Sequence, residues 1–347
     1  MPAVEEFFGC GSTACRKLRK CQWANDDLEV AQNLVQHFEQ IQTTASNSQT
    51  NIPKVIHFIW LGAKPLPKYY GLCELKKEKH CQWNETIASW HEQHSDWEIK
   101  LWDDKATSQL FDHVEHPDLG NIFREAIQAQ SYGMASDLAR LQILYLYGGI
   151  YVDVDYYCVQ SVQSFHERFE FFCGASNSGC IEINNGLMGS IPGHPFVQRL
   201  ISDICQWYEE ASSHRIENDV QGENGQAPMN MIASFLDQDT VKTLRGLTSP
   251  PSRYSPMEII THTGPGLLTR AILDLCRNCE MNGNCHGGND LPPKFAILPY
   301  HVFNSLPNIH KRIGTQSADG ELVKNLLDKY IDSEESMAVH LWSCSWQ

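Results

Sequence analysis

Asp153-Val-Asp155 places two carboxylates two positions apart at the end of an apolar run that starts at Ile150. Side chains on a strand alternate faces, so both acids would point the same way, roughly 6.6 Å apart along the chain. Carboxylates so placed repel each other and resist burial unless a positive charge sits between or beyond them. A hard divalent cation answers that need. Mg²⁺ or Mn²⁺ takes oxygen ligands, uses one or two protein carboxylates and leaves positions for substrate phosphates. The pattern therefore suggests metal-assisted handling of a diphosphate, with solvated loop acids as the plainer alternative.

The flanking elements must hold these acids in place. From Ala135 the apolar residues Leu138, Leu141, Leu144 and Tyr145 recur at helical spacing, and Gly148-Gly149 supplies the left-handed residue that ends a helix. A helix, a glycine stop and a buried strand are predicted in that order. On the helix Ser136, Asp137 and Arg140 fall within one turn, with Asp137 and Arg140 sharing a face as i, i+3 neighbours, either as a surface ion pair or as part of the site. Upstream, Ile52 to Gly62 reads as a central buried strand containing a core histidine, His57. Residues 81–94 read as a helix burying Trp83, Ile87 and Trp90, and Trp97 to Asp104 as a strand that runs into a turn. Downstream come a strand over 169–174, an Asn184-Asn185-Gly186 segment that suits either a tight turn or a ligand pocket, a helix over 196–210 and a polar loop over 214–226. The alternation predicts an α/β, mainly parallel, nucleotide-binding sheet with its ligand outside the carboxyl ends of the strands.

Ala135-Ser136-Asp137-x-x-Arg140, followed by Gly148-Gly149-Ile-Tyr-Val-Asp153-Val-Asp155, resembles the sugar-binding region of the Asp-x-Asp glycosyltransferases. That group includes yeast initiating mannosyltransferases, inositol-phosphoceramide mannosyltransferases, alpha-1,4-galactosyl and N-acetylglucosaminyl transferases and, more remotely, the large clostridial glucosylating toxins. Thr261-His-Thr-Gly-Pro-Gly resembles a further family segment, Leu298 to Asn304 resembles a family strand, imperfectly, and Ala338 to Gln347 resembles the family's closing element. The resemblance implies a GT-A-type, Rossmann-like fold with helical additions over 51–347, preceded by a helical extension and linker over 1–50. It implies a nucleotide-sugar donor, UDP-sugar favoured, a Mn²⁺ or Mg²⁺ cofactor, and transfer with retention of anomeric configuration. By the same resemblance Asp155 binds the metal directly, with Asp153 and His340 as further ligands. Trp60 would stack on the base unless it is a core residue. Ser136, Asp137, Arg140, Asn184 and Asn185 line the sugar pocket, and Ser343, Ser345 and Trp346 reach the diphosphate.

The 347-residue chain has 42% hydrophobic and 20% charged residues, as a soluble globular protein does, and its formal net charge of −15 argues against nucleic acid as a partner. Residues 1–25 show no signal-peptide pattern and no later window approaches a membrane span. These features predict a cytosolic enzyme, and the resemblance to the toxin-like branch implies an effector-like one with a protein acceptor. A Golgi-type lumenal domain with a glycan or lipid acceptor is the alternative. A helix carrying Leu28, Ala31, Leu34, Val35 and Phe38 would dock on the domain or make peripheral membrane contact. Thirteen cysteines are present; Cys276, Cys279, Cys285 and His286 have a ligand-like spacing for zinc, against disulfides or free thiols. A phosphohydrolase using Asp-x-Asp is disfavoured because the motif lies mid-chain and is followed by Tyr156. A non-catalytic nucleotide-sugar binder is disfavoured by the intact Asp137, Arg140, Asp153, Asp155 and Trp346.

Overall fold

In a computed structural model of the chain, the apolar run around Phe58 becomes the central strand β1 (Val55–Ile59), four of whose five residues are buried. The structure describes residues 2–8, part of 31–38, 52–67, 84–112, 116–221, 254–282, 294–308, 328 and 334–343. After β1 come α2 (Glu85–Gln93), β2 (Glu98–Trp102), α3 (Asp104–Leu110), α4 (Pro117–Gln128), α5 (Tyr132–Tyr147) and β3 (Gly149–Val152). A short strand β4 (Tyr156–Cys158) leads to α6 (Gln163–Arg168), β5 (Phe171–Ala175), β6 (Ile183–Ser190) and α7 (Pro195–Gln221). The described remainder is α8 (Pro256–His262), α9 (Pro265–Asn282), β7 (Phe295–Leu298), α10 (Tyr300–Phe303) and β8 (Ala338–His340), with α1 (Pro2–Phe7) at the amino end.

The six-stranded sheet runs β2-β1-β3-β6-β5-β7. β1 pairs parallel with β2 and β3, and β5 parallel with β7; only β6 runs antiparallel to its neighbours. This is a mainly parallel α/β sheet, and helices cover both of its faces, as buried strands with apolar residues on both sides require. Tyr151, Phe171 and Cys173 point into the core shared with α4, α5, α7 and α9. Ile150, Val152 and Phe172 point into the opposite core, with Ile87 and Trp90 of α2.

α5 ends as its glycines require. Gly148 takes φ +62 and returns its N–H to Leu144 O, and Gly149, at φ +90, lets the strand start against β1, where a Cβ would lie 2.6 Å from Val55 Cγ1. Asp103 does more than begin a turn: its carboxylate caps α3 by accepting from Ala106 N at 2.8 Å.

His57 is a satisfied core histidine, 1% exposed. Its Nδ1 accepts from Trp102 Nε1 at 3.2 Å, so Nε2 carries the proton donated to Gly148 O at 3.0 Å. Burial is the main cause that pulls its pKa down to about 4. The unfolded chain therefore takes up this proton before the folded one does. The associated stability is complete above the ordinary histidine value and lost as pH falls from about 6.5 to about 4, up to about 3 kcal/mol. Urea midpoints at pH 7 and pH 4.5 should fall further for the wild type than for His57→Gln; equal slopes would refute the assignment.

Three expectations need correction. β3 stops at Val152, and Asp153 to Asp155 form a turn into β4, so strand alternation is not what aims the two acids. The helix after Pro195 continues to Gln221, so residues 214–221 are helical where a loop was predicted; 222–226 lie outside the described residues. The segment 298–304 leaves its strand at Leu298 and turns through α10, because Pro299 supplies no N–H to a ladder and instead caps the short helix. At the amino end, Ala31, Leu34 and Val35 are buried with Val4, Phe7 and Phe8 in the domain core. This is the docking alternative of the two expected for that helix. Leu28 and Trp83 lie outside the described residues, as do the side chains of Cys279, Cys285 and His286; Cys276 is buried in α9.

Candidate active site

The Asp-x-Asp turn is held from three sides. Asp153 N donates to Gly186 O of β6 at 2.7 Å, and Tyr156 N closes the turn on Asp153 O at 3.1 Å. Beneath it, α2 presents a polar face to the backbone. Asn84 Nδ2 and Thr86 Oγ1 both donate to Val154 O, and Trp90 Nε1 donates to Tyr156 O at 2.9 Å. Asn84 also caps α2 through Ile87 N, so one side chain fixes both the helix start and the turn. From the far end of the chain, β8 pairs antiparallel with β4, opposing His340 to Tyr156.

That pairing brings His340 to the acids. One ligand atom from each of Asp153, Asp155 and His340 lies within 4.8 Å of the others. His340 Nε2 is 3.3 Å from Asp155 Oδ1, its ring stacks on Tyr156 at 4.3 Å, and its Nδ1 is buried without a hydrogen-bond partner among the described residues. Ser343 donates to Asp155 Oδ2 through both N, at 2.9 Å, and Oγ, at 3.0 Å. Burial pushes the Asp155 carboxyl up, but His340 and these Ser343 donors outweigh it and leave its pKa below the ordinary value. Asp155 is thus held as a carboxylate. Asp153 is raised: burial dominates, Arg140 draws it back and Asp155 adds to the rise. Tyr151 and Arg140 both engage Asp153 Oδ1, the arginine at 3.4 Å, and Oδ2 lies against Gly186 of β6. Two carboxylates and an imidazole, with a buried orphan nitrogen, form a donor set that fits a divalent cation, and the imidazole suits Mn²⁺ better than Mg²⁺.

Beside this cluster lies a second network. The Asp137–Arg140 pair expected on α5 exists but is buried, with side chains 10% and 6% exposed and Nη2 3.1 Å from Oδ1. Asn185 Nδ2 donates to the same Oδ1 at 2.9 Å, and Arg140 Nη1 donates to Asn185 O at 2.8 Å while facing Asp153. The guanidinium lies over the Tyr151 ring at 4.6 Å. Arg140 therefore ties the sugar-pocket candidates Asp137 and Asn185 to the metal-site candidate Asp153.

The Asn184-Asn185-Gly186 segment is strand, not turn. Gly186 is required there, because a Cβ would meet Asp153 Oδ2 at 2.7 Å and Asn184 Oδ1 at 2.8 Å. Asn184 Oδ1 takes Gly186 N at 2.6 Å and Tyr156 Oη at 3.2 Å. Ser136 lends its carbonyl to Arg140 Nε. Trp60, one residue beyond β1, is half-buried with its indole N–H on Lys64 O at 2.6 Å. Ser345 and Trp346 lie outside the described residues. Tyr151, Tyr156 and Asn304, which accepts from Tyr156 Oη at 2.7 Å, escaped the sequence reading; the alternation of Tyr151 with Asp153 was the available signal.

Residues 81–172, which run from α2 through the Asp-x-Asp turn to β5, match the family described as glycosyltransferase sugar-binding region containing DXD motif. Within this stretch lie Asp137, Arg140, Asp153 and Asp155 of the site. The region's relatives include inositol phosphoceramide mannosyltransferase 3 of Schizosaccharomyces pombe, 29% identical over 160 residues, which are 46% of this chain and 39% of that protein. They also include the Legionella pneumophila protein named subversion of eukaryotic traffic protein A, 27% identical over 47% of this chain and 26% of its own length. The chain thus matches less than half the length of either relative. Among solved structures, the glycosyltransferase domain of the YGT toxin is similar with TM-score 0.44 and 13% identity, over 72% of this chain and 80% of that one.

Proposed function

We propose that the protein is a metal-dependent, retaining glycosyltransferase that draws on a nucleotide-sugar, a UDP-sugar before GDP-mannose. The observation that carries this reading is the convergence of His340, from outside the matched stretch, on Asp153 and Asp155 inside it, with one ligand atom of each within 4.8 Å of the others. A bound Mn²⁺ or Mg²⁺ supplies positive charge to the diphosphate as it leaves. Asp155, fixed by Ser343 and Leu341, and Asp153, fixed by Tyr151 and Arg140, would hold that cation with His340. Asp137, Arg140 and Asn185 orient the sugar, Ser136 and Asn184 support them, and Trp60 stacks on the base. Ser345 and Trp346 remain proposed diphosphate contacts. In the reaction the bond from the anomeric carbon to the phosphate oxygen breaks and a bond to the acceptor oxygen forms on the same face. The acceptor's proton passes to the departing phosphate.

For the acceptor we carry the protein side chain of an effector-like enzyme working in a cytosol. A second reading, a lipid acceptor of inositol-phosphoceramide type, is favoured by the similarity to inositol phosphoceramide mannosyltransferases. Among the described residues no helix is long and apolar enough to cross a membrane.

Hydrolysis of UDP-glucose, UDP-N-acetylglucosamine, UDP-galactose and GDP-mannose with and without Mn²⁺ tests the donor; no metal-stimulated turnover of any of them would sink the proposal. The labelled donor incubated with eukaryotic lysate then tests the acceptor: a discrete protein band supports the first reading, and label confined to the lipid fraction supports the second. Trp60→Ala is expected to weaken nucleotide affinity by about 1–3 kcal/mol, the range for aromatic stacking on a base. Unchanged affinity by calorimetry would make Trp60 a packing residue.

A further inference from the structure

Thr263 closes α8 at the joint with α9. Its N–H returns to Ile259 O at 2.9 Å and its hydroxyl lies 3.0 Å from the same carbonyl, as for many threonines that end a helix. A second contact sets it apart. The hydroxyl is also 3.0 Å from Asp137 Oδ2, 126 positions away in the sequence, and Thr263 is only 2% exposed. Gly264 follows, where a Cβ would stand 3.4 Å from that oxygen, so the α8–α9 joint packs its backbone directly on the Asp137 carboxylate.

The other carboxylate oxygen, Oδ1, already takes Asn185 Nδ2 and Arg140 Nη2. With Oδ1 gripped by those two and Oδ2 by Thr263, rotation of the carboxylate is blocked from both sides. A hydroxyl has one proton to give, and a carboxylate competes for it better than a helix carbonyl does. Burial drives the Asp137 pKa up, while Arg140, the Thr263 hydroxyl and Asn185 favour the ionised form.

We propose that Thr263 is a positioning residue of the sugar subsite: its hydroxyl fixes the Asp137 carboxylate and, through it, the Arg140 and Asn185 groups that face Asp153. This rests on the nucleotide-sugar reading above. The Thr263 hydroxyl meets Asp137 and the Ile259 carbonyl, not Asp153, Asp155 or His340, so its loss is expected to fall first on the sugar.

The test compares Thr263→Val, which keeps the shape and removes the hydroxyl, with Thr263→Ser, which restores it. The substrate is the nucleotide-sugar that the wild type turns over fastest, and the control is the corresponding nucleoside diphosphate with Mn²⁺. T263V should lower kcat/KM about tenfold, the scale of one hydrogen bond to a charged group. It should leave the affinity for the nucleoside diphosphate unchanged, and T263S should recover the activity. Wild-type kinetics in a folded T263V, an equal loss of nucleoside diphosphate affinity, or no recovery in T263S would each overturn the proposal. Thr263→Ala is the second variant: loss of the folded state in both T263A and T263V would assign the hydroxyl to stability and overturn the positioning role. An active wild type with an unaffected T263V refutes the positioning role alone, whereas an inert wild type refutes the functional reading with it.

Discussion

Asp155→Asn is expected to abolish metal-stimulated donor turnover, lowering kcat/KM on the order of a thousandfold, while the chain stays folded. The size follows from the several kcal/mol that a cation contributes to a departing diphosphate, since about 4 kcal/mol is three decades in rate. A neutral amide is a poor ligand for a hard cation, and one of its two positions is a donor. That donor matters here, because Asp155 Oδ2 already receives Ser343 N and Oγ. The amide will therefore turn its oxygen toward Ser343 and its NH₂ toward His340 and the cation, which excludes the metal more completely than loss of charge alone. The backbone of Asp155, whose carbonyl accepts from Leu341 N at 2.9 Å, is untouched, so β4 and β8 should remain paired. Mn²⁺ titration of turnover, with melting temperature as the control, checks this. Full Mn²⁺-stimulated activity in a folded variant would remove Asp155 from the metal site.

Arg140→Met should produce the largest loss of stability, about 3–5 kcal/mol, the usual cost of removing one partner from a buried ion pair. Methionine fills much of the same volume, so the cost is electrostatic. Asp137, Asp153 and the Asn185 carbonyl lose the guanidinium that faces them. Asp137 and Asp153 are already raised by burial with Arg140 present, and without it both rise further. A carboxyl whose folded pKa exceeds its unfolded value holds its proton more tightly when folded. The deficit of the variant should therefore be smallest at acid pH and grow as pH rises through about 4 and on through the raised folded value. Urea unfolding of wild type and variant at pH 5 and pH 8 measures this. A pH-independent difference would mean that packing, not charge, is what Arg140 contributes.

Much of the architecture could be read from local pattern. The α5 periodicity, the glycine stop and the apolar runs of β1 and β5 each depend on neighbours in sequence, and the helical spacing of Asp137 and Arg140 foretold their pairing. What local pattern could not supply was anything that depends on partners far along the chain. The convergence of Asp153 with Asp155 was expected from alternation on a strand, yet it comes from a turn whose shape is imposed by Gly186, Asn84 and Thr86. Nothing near Asp153 announces them. α2 looked like an ordinary amphipathic helix because its buried face was assumed to be apolar, whereas Asn84, Thr86 and Ser89 are buried there as hydrogen-bonding groups. Asn-Gly, a common turn signal, sits inside β6 because close approach to Asp153 and Asn184, not backbone reversal, is what calls for the glycine.

The pairing of β4 with β8 also has a bearing on how the protein is made. Ser343 and Asp155 are 188 positions apart, and β8 supplies the imidazole. Chains are synthesised from the amino end, and contacts of such separation form late because a long loop must close first. A nascent chain can complete α5, β3 and the Asp-x-Asp turn and still hold two acids without their histidine or their serine donors. On the proposed reading, sugar transfer would wait until residues 338–343 emerge and add their strand, and a chain abandoned before them would be an inert one.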